Sequence, residues 1–174
     1  LMGPIDMDNG MFDLNNSMAP RPRVFAQVYS TIVAEAARTL IIYSGLTVIP
    51  DAAGSYRKHR ELFRFIAAQK QPWQESRTLA GEMGEYIVTM RQTGDTYLVA
   101  AATDEEARTV GIPLDFLPDG AYAAVIHRDA ADAHYKNNRE AYKTEKRAVT
   151  AKDTIEAAMA PGGGFCMTIR PKGK

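Results

Sequence analysis

Apolar residues recur every three or four positions from Phe25 onward, at Val28, Tyr29, Ile32, Val33, Ala36 and Leu40. That spacing predicts a helix from about Pro22 to Tyr43, with Pro22 suited to its first turn and Gly45 placed as a stop. Leu46-Thr47-Val48-Ile49 reads as a short buried strand closed by Pro50-Asp51. A second helix follows. Ser55 is its expected cap, Leu62, Phe63 and Ile66 its buried face, and Arg57, Lys58, Arg60 and Arg64 its solvated face. Upstream, Leu1 to Asp6 reads as the end of another buried strand, where pairing must stop near Pro4, and 7–20 as a polar loop.

After Pro72-Trp73 the period changes from 3.6 to 2. Tyr86 to Met90 and Thr96 to Ala101 flank Thr93-Gly94-Asp95, a hairpin signal. Further strands are expected at Val110 to Leu114, Ala121 to His127, Ala148 to Thr150, Thr154 to Met159 and Phe165 to Arg170, separated by Gly, Pro and Asp. The fold class is therefore α/β followed by all-β. Residues 1–72 read as the last strands and helices of a (β/α)8 barrel, and 73–174 as an antiparallel β-sandwich. Two parallel strands cannot close a sheet. The reading thus expects further strands from upstream sequence or from a partner, and makes this chain the back half of a longer enzyme.

Charge narrows the partners. The chain has 21 Lys plus Arg and 21 Asp plus Glu, balanced in both halves, so no basic field exists to attract a nucleic acid. No apolar run reaches the ~18 residues a membrane span needs. The single cysteine, Cys166, lies in an apolar run and reads as a buried, inert thiol; no intrachain disulfide framework is possible.

Most candidate chemistry has a plain alternative. Pro161-Gly162-Gly163-Gly164 lacks the Lys-Ser or Lys-Thr and the helix of a phosphate loop, and reads as a turn where backbones approach closely. His59, His127 and His134 have no second His or Cys at ligand spacing. Asp129, Asp132 and His134 allow a weak surface cation site, with a solvated loop the better reading. Trp73 and Glu75 sit at the junction of the two halves, where Trp73 reads as a packing residue. Asp6 and Asp51 are the candidate substrate-binding residues. If both preceding segments are barrel strands, each aspartate lies at a strand's C-terminal end, the rim that carries the active site. Aspartate also simply favours turns and helix starts.

Four stretches together carry a resemblance: Gly3-Pro4-Ile5-Asp6 with Gly10; Ala37-Arg38-Thr39-Leu40 through Pro50-Asp51; Trp73-Gln74-Glu75-Ser76-Arg77 with Gly84-Glu85-Tyr86; and Pro113-Leu114-Asp115-Phe116-Leu117 with Ala160 to Phe165. In this order and spacing the chain resembles the C-terminal part of glycoside hydrolase family 97, α-glucosidases and α-galactosidases. The resemblance implies a parent that removes terminal α-linked galactose or glucose from oligosaccharides and uses calcium in its site. It implies a C-terminal β domain associated with oligomerisation, so a homo-oligomer, and a periplasmic or secreted location. It also implies that the catalytic carboxylates and calcium ligands lie upstream of Gly3, so no catalytic or metal residue is assigned here and the chain alone is expected to be inactive. Met7-Asp8-Asn9 departs from the Tyr-Thr-Pro common in the family after the aspartate. The rival reading is a non-catalytic carbohydrate-binding or assembly module presenting some of Tyr86, Tyr97, Tyr122, Tyr135 and Tyr142.

Overall fold

The structure, a computed structural model, describes residues 6–18 and 27–173. The expected first strand up to Ile5 and the expected helical start at Pro22 lie outside these residues. Two short strands, β1 (Met7–Asp8) and β2 (Thr47–Val48), pair in parallel, with Met7 opposite Thr47. Between them runs helix α1 (Ile32–Ile41). After them come α2 (Ala53–Lys58) and α3 (Arg60–Ala67).

Eight strands follow: β3 (Glu75–Glu82), β4 (Tyr86–Thr93), β5 (Thr96–Thr103), β6 (Arg108–Pro113), β7 (Tyr122–Asp129), β8 (Tyr142–Val149), β9 (Thr154–Met159) and β10 (Gly164–Pro171). Six of them form one antiparallel sheet in the order β3-β4-β5-β10-β7-β8, and β6 and β9 form a separate ribbon. The β4–β5 hairpin turns on Gly94-Asp95 between the Thr93–Thr96 pair, as the alternation predicts, with Gly94 in the left-handed region that such turns require.

Strand alternation sends side chains to two cores. Tyr97, Val99 and Ala101 of β5 and Phe165, Met167 and Ile169 of β10 meet Ile112, Ile155, Ala157 and Met159 of the ribbon. Leu98, Ala100 and Cys166 point the other way, into a core shared with Ile32, Val33, Ala36, Ala37 and Leu40 of α1 and Leu62 and Phe65 of α3. The sheet is thus a sandwich with the ribbon on one face and is backed by helices on the other. Both faces being covered explains why β5 and β10 read as continuous apolar runs.

Several expectations need correcting. Residues 27–31 are not helical. Thr31 caps α1, its Oγ1 accepting from Ala34 N at 3.2 Å, and Tyr29 stands 60% exposed although the spacing placed it on the buried stripe. The far end of α1 is closed by Arg91 of β4, whose Nε donates to Leu40 O at 2.8 Å, and not by Gly45, which has no positive φ. Ser55 does not cap: it lies inside α2 and donates to Asp51 Oδ1 at 2.9 Å. On α3, Phe65 is buried with Leu62, while Phe63 and Ile66 are only half-covered. The strand over 46–49 is short and open, with Leu46 71% and Val48 53% exposed, because β1 is its one neighbour among the described residues.

Two strands escaped the alternation rule. β3 has a largely exposed pattern, and β8 (YKTEKRAV) is dominated by charge, so only its end at Ala148 was expected. Both are sheet edges, where charge and irregularity discourage pairing with another chain.

Candidate functional site

Asp51 follows β2 and is surrounded by donors of its own chain. Its Oδ2 accepts from Phe12 N (2.9 Å) and Asp13 N (2.7 Å), and its Oδ1 from Ala52 N (2.7 Å) and Ser55 Oγ (2.9 Å). The carboxylate therefore ties the loop after β1 to the start of α2. Asp13 continues the tie, its Oδ1 accepting from Ser17 N at 2.7 Å. Glu35, buried on α1, accepts from Gly10 N at 3.2 Å and pairs with Arg38 at 2.5 Å. Three carboxylates thus shape one loop.

Beside Asp51 is an open recess of about 770 Å3 lined by Ile49, Ala53, Tyr56, Arg57, Arg60 and Phe63. Burial pushes the Tyr56 phenol up to about 12, and its oxygen accepts from Asp51 N at 3.1 Å. Asp6 is exposed and lines a different, smaller recess of about 360 Å3 with Met7, Asp8, Leu46 and Val48. Both aspartates lie beside the parallel strand pair, but they open onto separate recesses.

The triple glycine is a close-approach turn, as read. A Cβ on Gly162 would strike Tyr135 Cβ at 2.6 Å and its ring at 2.8 Å, one on Gly163 would meet Asp129 Oδ2 at 2.0 Å, and one on Gly164 would meet Ala34 Cα of helix α1 at 2.6 Å. Asp129 is the hub. Its Oδ2 accepts from Ala160 N (3.1 Å) and Gly164 N (2.8 Å), and burial raises its carboxyl to about 6 against those hydrogen bonds and that of Thr31.

A second fastener is Glu140. It accepts from Lys58 Nζ at 2.8 Å and Asn15 N at 3.3 Å, and lies 3.7 Å from His59 Nε2. Burial would raise its carboxyl, but His59, Lys58 and Asn15 overcome that and hold it at about 2. His127 is buried, with Nδ1 2.9 Å from Thr144 Oγ1, and desolvation lowers its ring to about 4. Neither histidine is placed as a ligand or a base.

Among the described residues no group of three or more His, Cys, Asp or Glu side chains is placed to hold a metal ion. Asp129, Asp132 and His134 serve separate neighbours: Asp132 accepts from Asn138 Nδ2 at 3.1 Å and His134 Nδ1 from Lys136 N at 3.1 Å. Cys166 is fully buried, its thiol pushed up by desolvation and directed at Val33 O. Trp73 is half-buried against the helical core, with the Arg91 guanidinium 5.7 Å from its ring. Glu75 pairs with Arg77. Of the five tyrosines, Tyr97 and Tyr122 are buried and Tyr142 lies against His59 and His127, leaving Tyr86 and Tyr135 partly open. No local pattern marks Arg91, Asp129 and Glu140 as structural hubs, because their partners come from distant parts of the chain.

A helix-backed antiparallel sandwich preceded by a parallel strand pair is the class this geometry defines. The family described as glycosyl-hydrolase 97 C-terminal, oligomerisation, matches residues 72–170. The chain belongs to glycoside hydrolase family 97, of which it is a C-terminal portion. It is 35% identical over 131 residues to a retaining alpha-galactosidase of Bacteroides thetaiotaomicron, covering 75% of this chain and 20% of that protein. It also resembles a family 97 enzyme of Pseudoalteromonas sp. strain K8 solved with panose and with acarbose. There the TM-score is 0.87 and the identity 32%, over 97% of this chain and 26% of that one. A beta-arabinopyranosidase shares the fold at a TM-score of 0.73 and 18% identity, over 97% of this chain and 25% of that one. The chain thus spans about a fifth of the matched galactosidase.

Proposed function

We propose that this chain is the C-terminal part of a glycoside hydrolase that removes terminal α-linked galactose or glucose from oligosaccharides. The observation that carries the reading is the likeness to family 97 enzymes over 97% of the chain, helices and parallel strands included. In this reading β1, β2 and the three helices end a catalytic (β/α)8 barrel, and residues 73–174 brace it and join subunits. Asp6 and Asp51 stand at the rim beside the substrate, with Asp51 acting chiefly by holding its loop. Glycoside hydrolysis needs two carboxylates flanking the bond, ~5 Å apart for retention and ~6.5–9.5 Å for inversion. We assign that pair, and the calcium ligands, to the parent outside this chain. The parent is periplasmic or secreted.

The test is hydrolysis of nitrophenyl α-galactoside and α-glucoside with calcium, by this chain and by a longer version extended upstream through a full barrel. Activity in the longer form alone is expected, and the preferred glycoside names the sugar. Activity in the 174-residue chain would overturn the assignment of the carboxylate pair and make Asp6 and Asp51 the first residues to replace.

A further inference from the structure

Neither edge of the six-stranded sheet invites another strand. β8 carries Lys143, Glu145, Lys146 and Arg147, and β3 is broken by a register irregularity between Thr78 and Ala80. Among the described residues of this domain the large apolar side chain most exposed is Met83, at the tip of the β3–β4 hairpin and 100% exposed. Met83 is itself part of the lining of an open cleft of about 580 Å3 beside the same hairpin, together with Gly81, Tyr86, Ile87, Ala102 and the charged Arg38 and Glu82. The hairpin end is unobstructed, since a Cβ on Gly84 would meet nothing within 4 Å. Arg108 stiffens the other wall, donating to Glu85 at 2.8 Å, pairing with Asp104 and lying 5.9 Å from the Tyr86 ring.

We propose that the β3–β4 hairpin is the contact between two copies of this chain, with Met83 of each copy seated in the cleft of the other. The proposal rests on the oligomerisation reading above and names its surface. A two-fold contact uses the same patch on both partners, so knob and socket must lie together on one copy; here they share one hairpin. The hairpin lies within 72–170, the stretch matched by the family described by oligomerisation. A cleft of this size admits the hairpin tip around Met83, and lining charges of both signs let Glu82 of one copy face Arg38 of the other. A stable interface buries ~1,200 Å2 or more, so the whole hairpin must take part.

Sedimentation velocity on the 174-residue chain over a concentration series tests this, with Met83→Glu, Met83→Leu and Val48→Lys beside it. The expected wild-type species has twice the 19.1 kDa chain mass. Met83→Glu should weaken the dimer at least ~10-fold, the loss of one buried apolar side chain, while Met83→Leu and Val48→Lys leave it intact. A wild-type chain that stays monomeric overturns both the contact and the oligomerisation reading, and leaves the cleft to a segment of the longer parent. A dimer indifferent to Met83→Glu, or one lost in Val48→Lys, overturns the contact alone.

Discussion

The two faces of the six-stranded sheet are held by different physics. The ribbon face is an apolar core made by strands of one continuous stretch, with Val88, Met90, Val99, Phe165 and Met167 all fully buried. The helix face has an apolar centre too, but its margins are fastened by buried and half-buried polar groups reaching across the chain: Arg91 to α1, Asp129 to the triple-glycine turn, Glu140 to α2 and Asp51 to the loop after β1. Apolar burial is undirected and tolerant, whereas a buried charge must be met by particular partners. The helix layer should therefore be the part that single polar substitutions and pH can detach.

A pair of substitutions at adjacent residues of β10 separates the faces most sharply. Phe165→Ala removes a fully buried aromatic from the ribbon side and should cost ~3–5 kcal/mol in urea unfolding, loosening the whole sandwich. Gly164→Val places a side chain against Ala34 Cα, where backbone cannot yield, and should lift α1 from the sheet. Hydrogen exchange would then quicken in α1 while β6 and β9 stay protected; equal loss in both would show one indivisible core.

Arg91→Met comes next. The guanidinium donates to Leu40 O, Ile41 O and Ser76 Oγ and lies 5.2 Å from the Tyr43 ring. Its loss leaves the end of α1 without these donors, and a cost of ~3 kcal/mol is expected, read as faster exchange at the last turn of α1. A cost below ~1 kcal/mol would mean that water caps the helix equally well.

The mildest test is pH. Asp129 binds its proton more tightly folded than unfolded, so its contribution is complete below about 3.8 and is lost as pH rises through about 6. At ~1.4 kcal/mol per pH unit the loss cannot exceed ~3 kcal/mol. Glu140 has the opposite sign: its contribution is present above 4.5 and lost as pH falls through about 2. Unfolding curves from pH 2 to 8 should show Asp129→Asn flattening the upper limb and Glu140→Gln the lower one. If Asp129→Asn leaves the slope between pH 4 and 6 unchanged, Asp129 is not the group responsible.

Legibility in the sequence follows the same division. Gly94-Asp95, the apolar run Tyr97 to Ala101, the span Thr154–Met159 and the triple-glycine turn are local patterns, and each is readable in the sequence. β3 and β8 were not, because an edge strand has less of an apolar face to advertise. The start of α1 was misplaced because the helical spacing ran on through Val28 and Tyr29, while a single threonine hydroxyl sets the boundary.

Local chemistry therefore suffices for the turns, the central strands, the inertness of Cys166 and, through four spaced stretches, the family. These are matters of propensity and period, which act over a few residues. The packing of α1 on β10, the closure of a helix by an arginine 51 residues away and the position of Asp129 among three glycines depend on long-range approach. No periodicity encodes such contacts, because each partner acquires its meaning only when the chain has brought the other beside it.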